Sequence, residues 1–262
     1  MKVRTNMEEK AQYGWYVKNL IIGFLIIGFI GLGFFVLAFF FQGWIAFLLF
    51  FIGLVLIILF LWPGIGFSVL NLSSGEDSIV AKKISAIKDI FPKEYLDVGC
   101  GTGRTAMKIA KILPISAHLT GIDIFNTNAI SGNALQTVQN NARIEGVANK
   151  TTFQVGSATN IPFEDNKFDV INVSFVLREM HKSNGKKKAI NEIYRVLKPN
   201  GYLFVEERDR KAIRTIALMG IFCLVFKPKA YWHNLLKQAG LNNINYEQLR
   251  GFGLFTARKP NK

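Results

Sequence analysis

No charged side chain occurs between Lys18 and Glu76. Soluble domains are about a quarter charged, so this stretch lacks the polar surface of a globular unit and reads as lipid-facing. Cysteine is scarce as well. Cys100 lies in a glycine-rich turn and Cys223 in an apolar run, with no CxxC and no ligand-spaced partners, which excludes a disulfide framework and gives no reason to expect a metal site. No internal repeat or low-complexity tract is evident outside the apolar stretch. Acidic residues are the minority: from Glu76 to Lys262 there are 28 Lys plus Arg against 16 Asp plus Glu. That part is a basic domain. Its surplus charge suits nucleic acid, anionic headgroups or an acidic substrate equally, and the adjoining apolar stretch favours lipid.

Two apolar runs, 20–41 and 44–62, are separated only by Gln42-Gly43. As helices rising about 1.5 Å per residue, each approaches the roughly 30 Å of a bilayer core, and the short turn makes them a hairpin. Trp15, Tyr16, Trp44 and Trp62 fall at the ends, where amphipathic rings prefer the interface. Lys2, Arg4, Lys10 and Lys18 precede the hairpin and Lys82, Lys83 and Lys88 follow it, so the positive-inside rule puts both termini and the following domain in the cytoplasm. A cleaved signal peptide fits less well, because the first run is too long, a second follows, and no small-x-small cleavage site stands out. Gly23, Gly28, Gly31 and Gly33 read as ordinary membrane-helix glycines, with a close helix contact or self-association of the hairpin as the sharper alternative. The expected organisation is an anchor at 1–72 and a domain at 73–262.

Pro63 and Gly64 are expected to stop the second helix, with 71–78 as linker and N-cap for a helix at 77–91. Strand-like runs at 95–99, 118–125, 151–156, 168–175 and 202–207 then alternate with helical patterns, which predicts βαβ units and a parallel sheet. A helix at 231–239 precedes two further strands, 243–249 and 253–258, with no helix between them, so they are expected as an antiparallel hairpin on a sheet edge. The fold class is α/β: a doubly wound, seven-stranded, mostly parallel sheet behind a two-helix hairpin.

The sharpest motif is Leu96-Asp97-Val98-Gly99-Cys100-Gly101-Thr102-Gly103-Arg104, a strand running into a triple-glycine turn and a helix. Glycines there allow close backbone approach to a ligand and leave amides pointing into the site. Some twenty residues on, Gly121-Ile122-Asp123-Ile124 places a carboxylate at a strand end, where it can accept from ribose hydroxyls of a nicotinamide or an adenosylmethionine cofactor alike. The stretches Val155-Gly156-Ser157-Ala158-Thr159-Asn160-Ile161-Pro162-Phe163, Phe168-Asp169-Val170-Ile171 and Arg195-Val196-Leu197-Lys198-Pro199-Asn200-Gly201-Tyr202-Leu203 complete an ordered set. That set resembles the class I S-adenosylmethionine-dependent methyltransferases, within them the branch with the ubiquinone/menaquinone C-methyltransferases, over about 95–260. The resemblance implies a Rossmann-like methyltransferase fold with S-adenosyl-L-methionine as cofactor. It implies that Asp97, Gly99, Cys100, Gly101 and Gly103 cradle the methionine part, Asp123 holds the ribose and Ile124 packs on the adenine. Ser157 and Ala158 flank the adenine edge, and Ser174 lies near the sulfonium. One departure is Ser157, where the family usually has Asp; a hydroxyl accepts less strongly than a carboxylate.

Methyl transfer from a sulfonium relies on alignment and desolvation, so the sequence leaves the acceptor open. Carbon and oxygen acceptors need a base, and the candidates are Glu179, His181 and Glu206, with Glu207 beside the last. Leu177-Arg178-Glu179 looks like the corresponding quinone-enzyme stretch, which favours a small lipid, isoprenoid or quinone-like acceptor. The apolar run 215–226, flanked by Arg208, Arg210, Lys211 and Arg214 and by Lys227 and Lys229, is either a lipid-facing gate in the membrane interface or a buried lid. Lys182, Lys186, Lys187 and Lys188 lack interleaved aromatics and read as a solvated or headgroup-facing patch rather than a nucleic-acid surface. The rival readings are a nicotinamide-dependent oxidoreductase, which would want GxGxxG and its own catalytic set, and a noncatalytic adenosylmethionine-binding protein.

Overall fold

The computed structural model describes residues 9–73, 78–87, 90, 92–180, 183–249 and 251–261. Helix α1, Lys18–Leu37, ends in a 3₁₀ turn and is followed by α2, Gly43–Leu56. Contrary to the expected stop at Pro63, the second helix runs on through a π turn at Ile57–Leu61 into α3, Trp62–Ser73. Proline lacks an N–H and its ring clashes with the carbonyl four residues back, and the widened turn before it absorbs that mismatch. Asn71 is therefore helical rather than part of a linker. By length and composition Lys18–Phe40 and Gly43–Leu72 are each able to cross a membrane. Phe39, Phe40 and Trp44 are more than 70 % exposed, unlike the side chains of a soluble core helix.

Gly28, Gly31 and Gly53 let the two helices touch. A Cβ at Gly53 would lie 2.5 Å from Phe35 N, and one at Gly28 2.5 Å from Leu61 Cα. Gly23 and Gly33 have nothing within 4 Å of such a Cβ, so only two of the four glycines singled out in α1 serve the hairpin contact.

Beyond the hairpin, α4 (Ile79–Ser85) starts at Ser78, whose hydroxyl accepts from Ala81 N at 3.1 Å. It is shorter than the helix expected at 77–91, of which residues 77, 88, 89 and 91 lie outside the described residues. Then follow β1 (Glu94–Val98), α5 (Arg104–Ile112), β2 (His118–Asp123), α6 (Leu135–Ile144), β3 (Thr151–Val155), β4 (Phe168–Ser174), α7 (Ser183–Val196), β5 (Leu197–Arg208), α8 (Ile213–Met219), α9 (Lys229–Gln238), β6 (Asn242–Leu249) and β7 (Phe252–Arg258). The sheet order is β3-β2-β1-β4-β5-β7-β6. Pairings are parallel from β3 to β5 and antiparallel at β5–β7 and β7–β6, so the mostly parallel sheet and the edge hairpin are as expected. β5 begins earlier than expected because Leu197 already pairs with Phe168 before a register shift.

One face of the sheet packs on α7 and α9 around Phe168, Leu203 and Phe255, and the other on α4, α5 and α6 around Met107, Leu119 and Phe204. Each fully buried large side chain contributes roughly 1.5–3 kcal/mol. Strand order reverses between β1 and β4, and the crevice at the carboxyl ends there is where ligands bind in such sheets. A third cluster joins Leu70 of α3 to Met219 and Phe226. Trp62 Nε1 donates to Ala217 O at 2.6 Å. The run 215–226 thus buries Thr215, Met219, Cys223 and Phe226 while leaving Ile216, Ile221, Leu224 and Val225 exposed.

Candidate active site

The glycine turn leaves β1 with Gly99, Gly101 and Gly103 at φ of +73°, +54° and +87°, conformations that side-chained residues rarely adopt. Gly99 N and Cys100 N both donate to Ile122 O, at 2.7 and 3.1 Å, which ties the turn to β2. Gly101 N reaches Asp123 Oδ2 at 2.9 Å. Asp123 Oδ1 accepts from Phe125 N at 2.6 Å and from Asn133 Nδ2 at 3.2 Å. Three of its roughly four acceptor directions are therefore in use, and the long Asn133 bond is the one a ribose hydroxyl would most readily displace. No side chain caps α5, so its first amides stay available to an anion such as a carboxylate. Cys100 is buried inside the turn, and burial first, then Asp97 and Asp123, push its thiol well above the ordinary value.

Asp97 is 2 % exposed and sits opposite Asn172 of β4. Asn172 Nδ2 donates to Asp97 Oδ1 at 2.6 Å, while Oδ2 is buried with no partner. Burial raises this carboxyl to about 7, with the Asn172 bond opposing and Asp123 adding. Ser174 Oγ lies 3.2 Å from both Asn172 Oδ1 and Glu206 Oε2. Ser174 has one proton for these two acceptors, so Asp97–Asn172–Ser174–Glu206 forms a continuous hydrogen-bonded chain across the carboxyl ends of β1, β4 and β5 when Glu206 is protonated and donates to Ser174. Glu206 is raised, chiefly by burial. Sequence reading missed Asn172, although an amide inside the apolar run of β4 is a buried polar group that demands a partner.

Where the adenine is expected, Ile124 is 63 % exposed at the end of β2 and Ala158 is buried. Ser157 Oγ is 2.9 Å from Thr159 Oγ1 and accepts from Thr159 N at 3.2 Å. Its hydroxyl is thus held in a local turn, and it lies 34 residues beyond Asp123 in sequence but across the same crevice through the β2–β3 pairing. The orphaned Asp97 oxygen, the glycine cradle and the exposed Ile124 fit a ligand with an ammonium at one end and a flat ring at the other, as adenosylmethionine has.

A second polar cluster surrounds the turn after β4. Glu179 Oε1 accepts from Tyr16 OH at 2.5 Å and from Arg178 Nε at 3.2 Å. The Arg178 guanidinium lies 4.5 Å from the Tyr16 ring centre and 4.9 Å from that of Phe175. Glu207 accepts from Arg178 N at 3.2 Å, and burial lifts it to about 7 against the pull of Arg178. Arg208, which stacks at 4.7 Å on Phe252, is lowered to about 9 by burial and then by Arg178, and its Nη1 is buried without a partner. Of the three candidate bases, then, Glu206 joins the Asp97 chain and Glu179 joins the Tyr16–Arg178 cluster; His181 lies outside the described residues. Phe125 and Phe175 hold left-handed φ of +52° and +62° at the ends of β2 and β4, a strained conformation for a bulky residue that gathers at functional sites.

Over the glycine turn lies residues 12–17, a strap that sequence reading treated only as a membrane flank. Thr102 Oγ1 donates to Tyr13 O at 2.8 Å and Arg104 Nη2 to Gly14 O at 3.3 Å. Trp15 N donates to Ser131 Oγ at 2.8 Å, Ser131 N to Trp15 O at 3.0 Å, and Val17 N to Ala129 O at 2.9 Å.

A family model described as a methyltransferase domain matches residues 92–240, more than half of the chain. The chain belongs to this methyltransferase-domain family. A demethylmenaquinone methyltransferase of Lactiplantibacillus plantarum is 29 % identical over 163 residues, 59 % of this chain and 65 % of that one. A ubiquinone/menaquinone biosynthesis C-methyltransferase UbiE of Vibrio campbellii is 35 % identical over 185 residues, 61 % of this chain and 68 % of that one. The chain spans about half to two thirds of the length of the curated relatives it matches. Among solved structures, a SAM-dependent methyltransferase from Aquifex aeolicus aligns with a TM-score of 0.56 at 17 % identity, over 71 % of this chain and 95 % of that one. The family model and the relatives place the chain among methyltransferase-domain proteins, and the solved structure shares its fold.

Proposed function

We propose that the chain transfers a methyl group from adenosylmethionine to a small, amphiphilic acceptor drawn from a membrane, a lipid or an isoprenoid or quinone-like molecule, at the cytoplasmic face. The carrying observation is the packing of 215–226 against α3, the direct continuation of an apolar helix, with Ile216, Ile221, Leu224 and Val225 left exposed beside it. This supplies an apolar route from hydrocarbon to the polar ends of β4 and β5. Basic residues flank the run at Arg210, Lys211, Arg214, Lys227 and Lys229, as suits an interfacial segment facing anionic headgroups. The likeness of the relatives named as quinone methyltransferases supports the same acceptor class.

Bound adenosylmethionine would supply a methyl carbon already activated by sulfonium. Asp97 and the first amides of α5 would hold its amino-acid end, Asp123 its ribose and Ile124 its adenine. Glu206, at the end of the hydrogen-bonded chain and raised by burial, is the group best placed to take a proton from the acceptor. Confinement of enzyme and amphiphile to one surface raises their effective concentration.

The test is the full-length chain in lipid nanodiscs with methyl-labelled adenosylmethionine and a total lipid extract, with Asp123→Ala as control. Label entering the organic phase only with the intact chain supports the reading. Cofactor binding with no label in the organic phase, and label instead on soluble metabolites or on nothing, overturns the membrane-acceptor reading.

A further inference from the structure

The strap joins the apolar hairpin to the cofactor site at three levels. Its backbone pairs with 129–131, the loop between the ribose carboxylate and α6, and forms a bridge between Tyr16 and Ile130. Ile130 is wedged between strap and turn: a Cβ on Gly14 would lie 3.0 Å from its Cγ2, and one on Gly101 2.9 Å from its Cδ1. The same loop supplies Asn133 to Asp123. At its other end the strap is gripped by the hairpin. Asn71, in the last turns of α3, accepts from Tyr16 N at 2.9 Å and donates to Tyr16 O at 3.3 Å. Val17, the joint into α1, holds φ of +47°, a strained conformation for a β-branched residue that persists only where the surroundings enforce it. Gln12 and Asn141 exchange two hydrogen bonds of 2.8 Å, and Tyr13 OH donates to Glu145 at 2.6 Å, so the strap is fixed along its length.

We propose that Tyr16 and Asn71 are positioning residues for the cofactor: the two ends of the hairpin hold the strap closed over the glycine turn, and through Ile130 and the loop it pairs with the strap sets how tightly adenosylmethionine is held. This rests on the cofactor occupying the crevice at Gly99–Gly103 and Asp123. Asn71 bonds to Tyr16 in the strap and to Phe67 within its own helix, so the strap is the path by which changing it is expected to reach cofactor affinity.

The experiment is titration calorimetry of adenosylmethionine and S-adenosylhomocysteine on the full chain in nanodiscs, with hydrogen exchange of 12–17 and 126–133. Asn71→Leu removes both hydrogen bonds to Tyr16; two such bonds, fully coupled, predict about fivefold to thirtyfold weaker binding and faster exchange in both segments. Asn71→Asp keeps the acceptor for Tyr16 N but turns an oxygen toward the carbonyls of Tyr16 and Phe67, so it is expected to recover part of the affinity that Asn71→Leu loses. A melting temperature measured without cofactor separates loosening of the strap from unfolding. Unchanged affinity in Asn71→Leu alongside faster exchange overturns the proposal, as does equal loss in Asn71→Asp. A wild-type chain that binds no adenosylmethionine overturns the cofactor site itself, and the strap's role with it.

Discussion

Asp97 offers the most discriminating test of the site. With Oδ2 buried and unpartnered and Oδ1 held only by Asn172, burial keeps this carboxyl protonated until about pH 7, against an ordinary 3.8. That difference is on the order of 4 kcal/mol in favour of the neutral form, at about 1.4 kcal/mol per unit. An ammonium placed against Oδ2 favours the ionised form, so binding expels a proton wherever the empty carboxyl is protonated and the occupied one is not. Affinity for adenosylmethionine should therefore rise by up to about tenfold per pH unit between pH 5 and 7. It should level off above 7. Measurements stop near pH 7.5, because the ligand's α-amino group titrates at about 7.7–8.0. Calorimetry at pH 6 in two buffers of different ionisation enthalpy should report release of nearly one proton. Asp97→Asn should flatten the profile and weaken binding about tenfold or more at pH 7.5, the worth of a charged hydrogen bond. A flat wild-type profile, or a slope that survives in Asp97→Asn, would refute the reasoning. Folding stability carries the converse signature. Asp97 and Glu207 both sit above their unfolded values, so the folded state binds more protons between about pH 4 and 7, and these two groups make stability fall as pH rises across that window.

Two further predictions concern packing. Lys259 Nζ donates to Asn166 Oδ1, Tyr194 O and Leu197 O, each at 2.8 Å; Lys259→Met strips these acceptors, of which Leu197 O is buried, of a charged donor and should cost about 2 kcal/mol, read as a lower melting temperature in nanodiscs. Gly53→Leu would drive a side chain into the backbone of α1 at Phe35 and Gly31; the hairpin should splay, and a disulfide engineered between facing positions of α1 and α2 should form with lower yield than in the parent.

What could be read beforehand divides along a physical line. The strand–turn–helix at Asp97–Gly103, the carboxylate of Asp123 closing β2 and the edge hairpin are local patterns of a few residues, and each is legible in the sequence. The helix through Pro63 was not, because proline signals a stop and the π turn that accommodates it has no residue signature. Nor was the strap: Trp15 and Ser131 lie far apart in sequence, and a short stretch of backbone pairing leaves no periodicity. Asn172 was legible in principle, as an amide in a buried strand, but only the pairing register reveals that Asp97 is its partner. Ser157 stands out in the sequence as a departure, yet its bond to Thr159 depends on a turn geometry that sequence does not announce.

Both thiols lie inside the protein, Cys100 in the glycine turn and Cys223 in the run 215–226. A protein with no accessible sulfhydryl is a ready host for site-specific labelling. A single cysteine introduced at Gln42, in the turn between the first two helices, would react alone with a maleimide reagent. Comparing permeant and impermeant reagents on intact cells would then report which side of a membrane that turn faces, without stripping native cysteines from the fold.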